Sequence, residues 1–282
     1  MLVFTNKNKI DTYISSLKRE GNKIGFVPTM GALHEGHLSL IKEGLLSNNV
    51  MVVSIFVNPT QFDNVADLDK YPRTLEADIK LLETFSENIV IYAPSVDDIY
   101  EGDIKSQSFS FDGLEFEMEG RFRKGHFDGV GTIVKRLFEI IKPDNAYFGE
   151  KDFQQLAIIK KLVEKHQLPV IVVGCKIHRE TSGLAMSSRN VRLKPEYSLS
   201  APFIYKTLQT AQKKFGTKSA TVVTKWVEKQ FAKHDLLKLE YFIIADVDTL
   251  KTVIRKNKNR NYRAFIAVYA DDIRLIDNIA LN

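Results

Sequence analysis

Apolar and polar positions along this chain fall into two regimes. In the N-terminal two thirds, short apolar runs alternate with stretches of helical spacing. Lys23–Pro28 reads as a short buried strand. Gly36–Leu46 carries apolar side chains at Leu38, Leu40, Ile41, Leu45 and Leu46, which share one helix face. Val50–Val57 is a β-branched run expected of a strand buried on both faces. Thr74–Phe85 predicts a second amphipathic helix, with Leu75, Ile79, Leu81, Leu82 and Phe85 near one face, and Asn88–Tyr92 another strand. Val130–Ile141, Ala146–Gly149, Phe153–His166 and Pro169–Gly174 continue the alternation. Strands separated by helices imply parallel pairing through crossovers, hence an α/β fold with a doubly wound parallel sheet. Ligands of such sheets bind beyond the carboxyl ends of the strands, where strand order reverses. The loops after the strands are therefore where chemistry is expected.

After about residue 177 the pattern changes. Ser198–Phe215 and Ala220–His234 predict helices, Leu239–Ala245 and Ala264–Ala270 predict strands, and the polar, basic Lys251–Arg263 reads as a solvated hairpin between them. This is a smaller α+β domain, so the expected division is 1–177 and 178–282. No internal repeat or low-complexity linker marks the boundary.

Composition narrows the class. Of 282 residues, 44% are hydrophobic and 27% charged, which excludes a disordered or collagen-like chain. No apolar run is long enough to span a bilayer. The one cysteine, Cys175, excludes an internal disulfide and a multi-thiolate zinc site. The first residues lack a basic, apolar, small-residue leader pattern, so a cytoplasmic protein with no membrane partner is expected. The net charge of +5 hides an asymmetry: residues 1–176 carry 21 Lys/Arg against 25 Asp/Glu, and residues 177–282 carry 19 against 10. A basic C-terminal third suits nucleic acid, an anionic membrane or a phosphate-bearing ligand, but on charge alone a solvated basic face is the simpler reading.

Three strand-to-helix junctions carry candidate chemistry. The first strand ends in Met30-Gly31-Ala32-Leu33-His34-Glu35-Gly36-His37. A helix N-terminus offers backbone N–H groups and the positive end of a dipole to a phosphate. Gly36 permits close approach, and His34 and His37 add donors. The metalloprotease pattern needs histidines four apart with Glu beside the first, which His34 and His37 do not satisfy. At Gly149-Glu150-Lys151-Asp152 a strand again passes into a helix; Lys151 is placed to reach phosphate and Asp152 to cap the helix. At Met186-Ser187-Ser188-Arg189-Asn190, hydroxyls and a guanidinium suit a phosphate clamp, an N-cap with a solvated Arg being the simpler alternative. No Walker A loop and no dinucleotide glycine fingerprint follows a strand.

His-x-Gly-His after the first strand with a Ser-Ser-Arg loop after the last resembles the nucleotidyltransferase superfamily that includes class I aminoacyl-tRNA synthetases. Seven blocks narrow the likeness: PTMGALHEGHL at Pro28–Leu38, NPTQF at Asn58–Phe62, YPRT at Tyr71–Thr74, GHFDGV at Gly125–Val130, GEKDFQQL at Gly149–Leu156, GLAMSSRN at Gly183–Asn190 and RLIDN at Arg274–Asn278. In that order, and over nearly the whole chain, they resemble the pantothenate synthetase family.

The resemblance implies a Rossmann-like fold with a C-terminal lid, and condensation of pantoate with β-alanine at the expense of ATP. Pantoate is adenylated on its carboxylate, pyrophosphate leaves, and the β-alanine amine displaces AMP. The product, pantothenate, is a coenzyme A precursor. By resemblance, His34, His37, Lys151, Ser187, Ser188 and Arg189 are catalytic. The ATP-binding set adds Met30, Gly31, Ala32, Leu33, Glu35, Gly36, Gly149, Glu150, Asp152, His178 and Met186. Gln61 and Gln155 match positions that hold pantoate; Gln61, Asn58, Tyr71 and Arg123 match positions near β-alanine. Mg²⁺ is expected as a cofactor bridging the ATP phosphates, with Asp78 matching an acidic position that helps hold it. A homodimer is expected, and no nucleic-acid partner. The chain departs from the family pattern at Lys124, His178 and Ser182. The alternative within the superfamily is another His-x-Gly-His adenylyl- or cytidylyltransferase; it shares the His-x-Gly-His logic but not NPTQF or GEKDFQQL.

Overall fold

The computed structural model describes residues 1–62 and 65–282. It divides into two compact units: Met1–Glu150 with Gln154–Lys176, and Lys151–Phe153 with Ile177–Asn282.

The first unit is built on a parallel sheet of β1 (Leu2–Phe4), β2 (Ile24–Thr29), β3 (Val50–Ile55), β4 (Ile89–Tyr92), β5 (Asn145–Gly149) and β6 (Ile171–Cys175), in the order β1-β4-β3-β2-β5-β6. Its helices are α1 (Lys7–Arg19), α2 (Glu35–Leu45), α3 (Val65–Lys70), α4 (Leu75–Phe85), α5 (Val96–Tyr100), α6 (Met118–Phe122), α7 (His126–Ile141) and α8 (Phe153–His166), the last beginning at the edge of the second unit. The central strands are apolar on both faces because α2 packs against β2 and β5 while α7 packs on β2 and α1. Val27, Leu38, Ile41, Met51, Val53, Leu82 and Ile91 form one buried cluster.

This sheet winds both ways from β2. The chain proceeds through β3 to β4 on one side, then returns to lay β5 along the other, so strand order reverses between β2 and β5. Pairing there is short. β2 matches β3 from Ile24 to Thr29 but matches β5 only at Gly25 and Phe26. Pro28 has no N–H to give a neighbouring strand. The two strands thus part toward their carboxyl ends, where Met30 and Gly149 lie.

In the second unit an antiparallel sheet of β7 (Leu237–Asp246), β8 (Tyr262–Ala270) and β9 (Ile273–Ala280) supports α9 (Pro195–Ser200), α10 (Phe203–Phe215) and α11 (Ala220–Phe231). Its core joins Ile204, Leu208 and Ala211 of α10, Val223 and Val227 of α11, and Ile244, Ile266 and Val268 of the sheet. The single helix expected over Ser198–Phe215 is two helices. Pro202 starts the second one at φ −58°, since its ring tolerates a first turn but not a helix interior. No described helix is long and apolar enough to cross a membrane.

Candidate active site

The junction after β2 is held by its own side chains. Gly31 and Ala32 are successive left-handed residues, φ 82° and 51°. Such a backbone costs Ala32 about 1–2 kcal/mol, so something must hold it. Asp78 does. Its carboxylate, 3% exposed, accepts the Ala32 N–H at 3.0 Å and the Leu33 N–H at 2.8 Å. The Thr74 hydroxyl, at the N-cap of α4, adds a third donor at 3.2 Å. The Gly31 N–H turns back onto Thr29 Oγ1 at 3.2 Å. Gly31 is needed here twice over: its φ is left-handed, and a Cβ would lie 3.1 Å from both Asp78 Oδ2 and Ile55 Cγ2.

His34 then caps α2 in extended backbone, and the two histidines close a reciprocal box. The Gly36 N–H donates to His34 Nδ1 at 3.1 Å, and the His34 N–H donates to His37 Nδ1 at 3.3 Å. The rings lie against each other, tilted by 38°, with centroids 4.1 Å apart. An Nδ1 that accepts a hydrogen bond carries no proton, so in each neutral ring the proton is on Nε2. The capping geometry therefore fixes the tautomer and gives both imidazoles an Nε2–H donor at the positive end of the helix.

A second network surrounds the loop after β3. Asn58 is 1% exposed and its amide is fully engaged. Tyr100 Oη donates to its Oδ1 at 2.6 Å and Thr60 Oγ1 does so at 3.2 Å. Its Nδ2 donates to Gly129 O and to Gln61 Oε1, each at 3.3 Å. Gln61 in turn donates from Nε2 to Met30 Sδ at 2.8 Å, joining this loop to the β2 junction. The Gln61 carbonyl meets His126 Nδ1 at 2.8 Å, and Arg123 donates to it at 3.4 Å. Arg123 also lies 3.1 Å from His126 Nε2 and 3.8 Å from Glu119. Tyr71 is buried, its ring edge-on to Phe62. Gln155 is half-buried on α8, whereas its neighbour Gln154 is buried and braces Leu114, Glu117 and Glu119.

Gly129 is the hinge of that packing. A Cβ there would stand 2.2 Å from the Thr60 carbonyl oxygen and 2.8 Å from Gln61 Cα. Backbone cannot give way as a flexible side chain can. Gly129→Ala is expected to cost about 1–3 kcal/mol of stability and to raise the KM for whatever Gln61 holds. A thermal melt and a substrate titration check both; an unchanged KM would show that the loop tolerates displacement.

Gly149 and Glu150 end β5 in the first unit, while Lys151 and Asp152 belong to the second. Asp152 pairs with Lys151 at 3.2 Å, and the chain enters α8 through a 3-10 turn over Glu150–Asp152 in place of the expected Asp152 cap. The Met186–Asn190 turn is knit internally: Met186 N–H to His178 O at 3.0 Å, Arg189 N–H to Ser187 Oγ at 3.3 Å, Asn190 N–H to Ser187 O at 2.9 Å. Ser188 and Arg189 are half-buried in that turn. Of the three departures, Lys124 is exposed, His178 is exposed and contributes its carbonyl, and the Ser182 hydroxyl accepts the Leu184 N–H at 3.3 Å.

Asp78 is engaged by its own loop. Both of its oxygens are occupied by backbone donors, and no three His, Cys, Asp or Glu among the described residues are grouped to hold an ion. Cys175 is buried, and burial pushes its thiol up to about 11, so it is inert at neutral pH.

The arrangement can be set beside known proteins. The family model for pantoate-beta-alanine ligase matches residues 2–280. The chain belongs to the pantoate–β-alanine ligase family. It is 59% identical to the pantothenate synthetase of Flavobacterium psychrophilum, with 100% of each chain covered. It is 58% identical to that of Christiangramia forsetii, again over 100% of both. A crystal structure of pantothenate synthetase from Thermus thermophilus superposes with a TM-score of 0.91 at 36% identity, covering 100% of this chain and 99% of that one. A Francisella tularensis pantoate-beta-alanine ligase, solved with β,γ-ATP and β-alanine, gives a TM-score of 0.82 at 37% identity, covering 100% and 98%. The family reading prevails over another His-x-Gly-His transferase: the chain is a ligase of pantothenate biosynthesis.

The sequence pattern does not disclose the roles of His126, Tyr100, Thr60, Arg179 and Asp277. Thr60, His126 and Asp277 lie inside resembling blocks, which is the one signal available for them; the work of all five is visible only once loops distant in sequence are packed.

Proposed function

We propose that the β2 junction and the loops around Gln61 condense pantoate with β-alanine through a pantoyl adenylate. The observation that carries the reading is the His34–His37 pair, locked as two Nε2–H donors at the N-terminus of α2. A carboxylate oxygen of pantoate attacks the α-phosphorus of ATP, and the bond to pyrophosphate breaks. Negative charge grows on the departing group, so N–H donors aimed at it lower the barrier. His34 and His37 supply such donors in the first unit; Lys151, Ser187, Ser188 and Arg189 supply cation and hydroxyls in the second. The β-alanine amine then attacks the acyl carbon, AMP leaves, and the nitrogen gives up its proton.

Gln61 and Gln155 suit pantoate. Neutral amides bind its hydroxyls and carboxylate without the charge that would blunt its nucleophilicity. Asn58 is assigned the task of presenting Gln61, since its own amide is spent on the loop; Tyr71 and Arg123 flank β-alanine. Mg²⁺ enters this reading with the ATP phosphates and not through Asp78. A homodimer and a cytoplasmic setting complete the proposal, the latter resting on the single buried thiol.

The test is pyrophosphate release with ATP and Mg²⁺, first alone, then with pantoate, then with β-alanine. Pantoate alone is expected to give about one pyrophosphate per site, and β-alanine to convert that burst into turnover. Release independent of pantoate would sink the assignment.

A further inference from the structure

The Arg274–Asn278 block has no role in the chemistry described so far, yet it holds a buried, paired charge of the second unit. Asp277 is 4% exposed and Asn278 1%. A buried carboxylate is costly unless paired and hydrogen-bonded. Asp277 meets that condition through a bidentate Arg179, at 2.7 and 2.9 Å, and through the Asn278 N–H at 2.7 Å. Arg179 is itself fixed: its guanidinium lies 3.7 Å over the Tyr205 ring and donates to Gly183 O at 3.1 Å. Its backbone bridges to Ala185. That clamp sets the start of the Met186–Asn190 turn, and Asn190 Nδ2 ties the far end back to Ala185 O at 3.1 Å and Glu180 at 2.7 Å.

The next residue reaches the other phosphate-directed group. Asn278 Nδ2 donates to the backbone carbonyl of Lys151 at 2.9 Å. Asn278 Oδ1 accepts from Arg263, whose guanidinium lies 4.2 Å over the ring of Phe153. Two adjacent residues of β9 thus secure Lys151 and the Ser187–Arg189 turn at once.

We propose that Asp277 and Asn278 are positioning residues that hold Lys151 and Ser187–Arg189 in one fixed frame for the departing pyrophosphate. The proposal rests on the roles given above to Lys151 and Arg189. Asn278→Asp removes the donor to Lys151 O and keeps an acceptor for Arg263. The expected result is a fall of about 10- to 100-fold in kcat for pantoate-dependent pyrophosphate release, as for a misplaced catalytic group. Pantoate KM should stay within about twofold, because Gln61 and Gln155 lie in the first unit. Asn278→Ser, which adds no charge, should show the same split and keeps the test decisive if the Asp variant fails to fold. An unchanged kcat, or kcat and KM drifting together with a falling melting temperature, overturns the proposal. Lys151→Ala separates the two layers. If it retains full adenylation, the site assignment itself fails; if it loses adenylation while both Asn278 variants keep theirs, only the positioning role fails.

Discussion

His37→Ala is expected to lower pantoate-dependent pyrophosphate release by about 10²–10³-fold, the usual loss for a preorganised donor. The KM for pantoate should move little. Alanine, however, removes two things at once. One is the Nε2–H; the other is the Nδ1 that accepts the His34 N–H, half of the capping box of α2. Loss of a cap alone costs about 0.5–2 kcal/mol. Two isosteres pull these apart. Asparagine places a polar atom near Nδ1 and can keep the cap without reaching where Nε2 was. Glutamine reaches the Nε2 position with an amide N–H but gives up the cap. His37→Gln is therefore expected to recover part of the rate while melting lower, and His37→Asn to recover the melting temperature while staying slow. Single-turnover adenylation and thermal melts read the two quantities separately. The reverse pattern, asparagine fast and glutamine slow, would mean that His37 acts by shaping the loop and not by donating a proton-bearing nitrogen to the phosphates.

How far the sequence discloses such a site depends on what disguises each element. β3 is legible because Val50–Ile55 is β-branched and buried between helix layers. α2 is legible within a residue, because its apolar spacing and the Gly36 neighbourhood agree. β1 escapes because three residues with an exposed pattern leave no period to read. α1 escapes because only Ile10 and Ile14 are buried on a strongly polar helix. β9 escapes for a more informative reason. Its inward positions include Asp277, a charge where a strand pattern demands an apolar residue, and that charge is there to hold Arg179. The same holds at the site. Residue types in Pro28–Leu38 point to phosphate, but the imidazole tautomers follow from which nitrogen the backbone meets, and no spacing rule encodes that. Asn58 is legible as a site residue by resemblance; that its amide is consumed by Tyr100, Thr60, Gly129 and Gln61 is a product of packing.

Asp78 is where residue type and packing point to different chemistry, and the difference has a large measurable consequence. An acidic side chain in the first turn of a helix near a nucleotide loop suits a cation ligand. The structure instead spends both oxygens on Ala32 and Leu33 N–H groups. Hydrogen bonds to a charged acceptor contribute about 1.5–3 kcal/mol each, and a buried N–H left unmet costs about 1–3 kcal/mol. Asp78→Ala orphans two such groups and releases the left-handed Ala32. A loss of roughly 3–5 kcal/mol is expected, a drop in melting temperature of about 10 °C for a chain of this size. Adenylation should fall with it, because the loop that delivers His34 and His37 is no longer held. Asp78→Asn keeps the shape and one acceptor, so it should melt between the two. The discriminating quantity is the Mg²⁺ concentration for half-maximal rate. An anchor predicts that Asp78→Asn leaves it within about twofold while stability falls; a metal ligand predicts the opposite, a large rise in the Mg²⁺ requirement with stability retained. An unchanged Mg²⁺ requirement would leave Asp78 as the residue that fixes the backbone carrying His34 and His37.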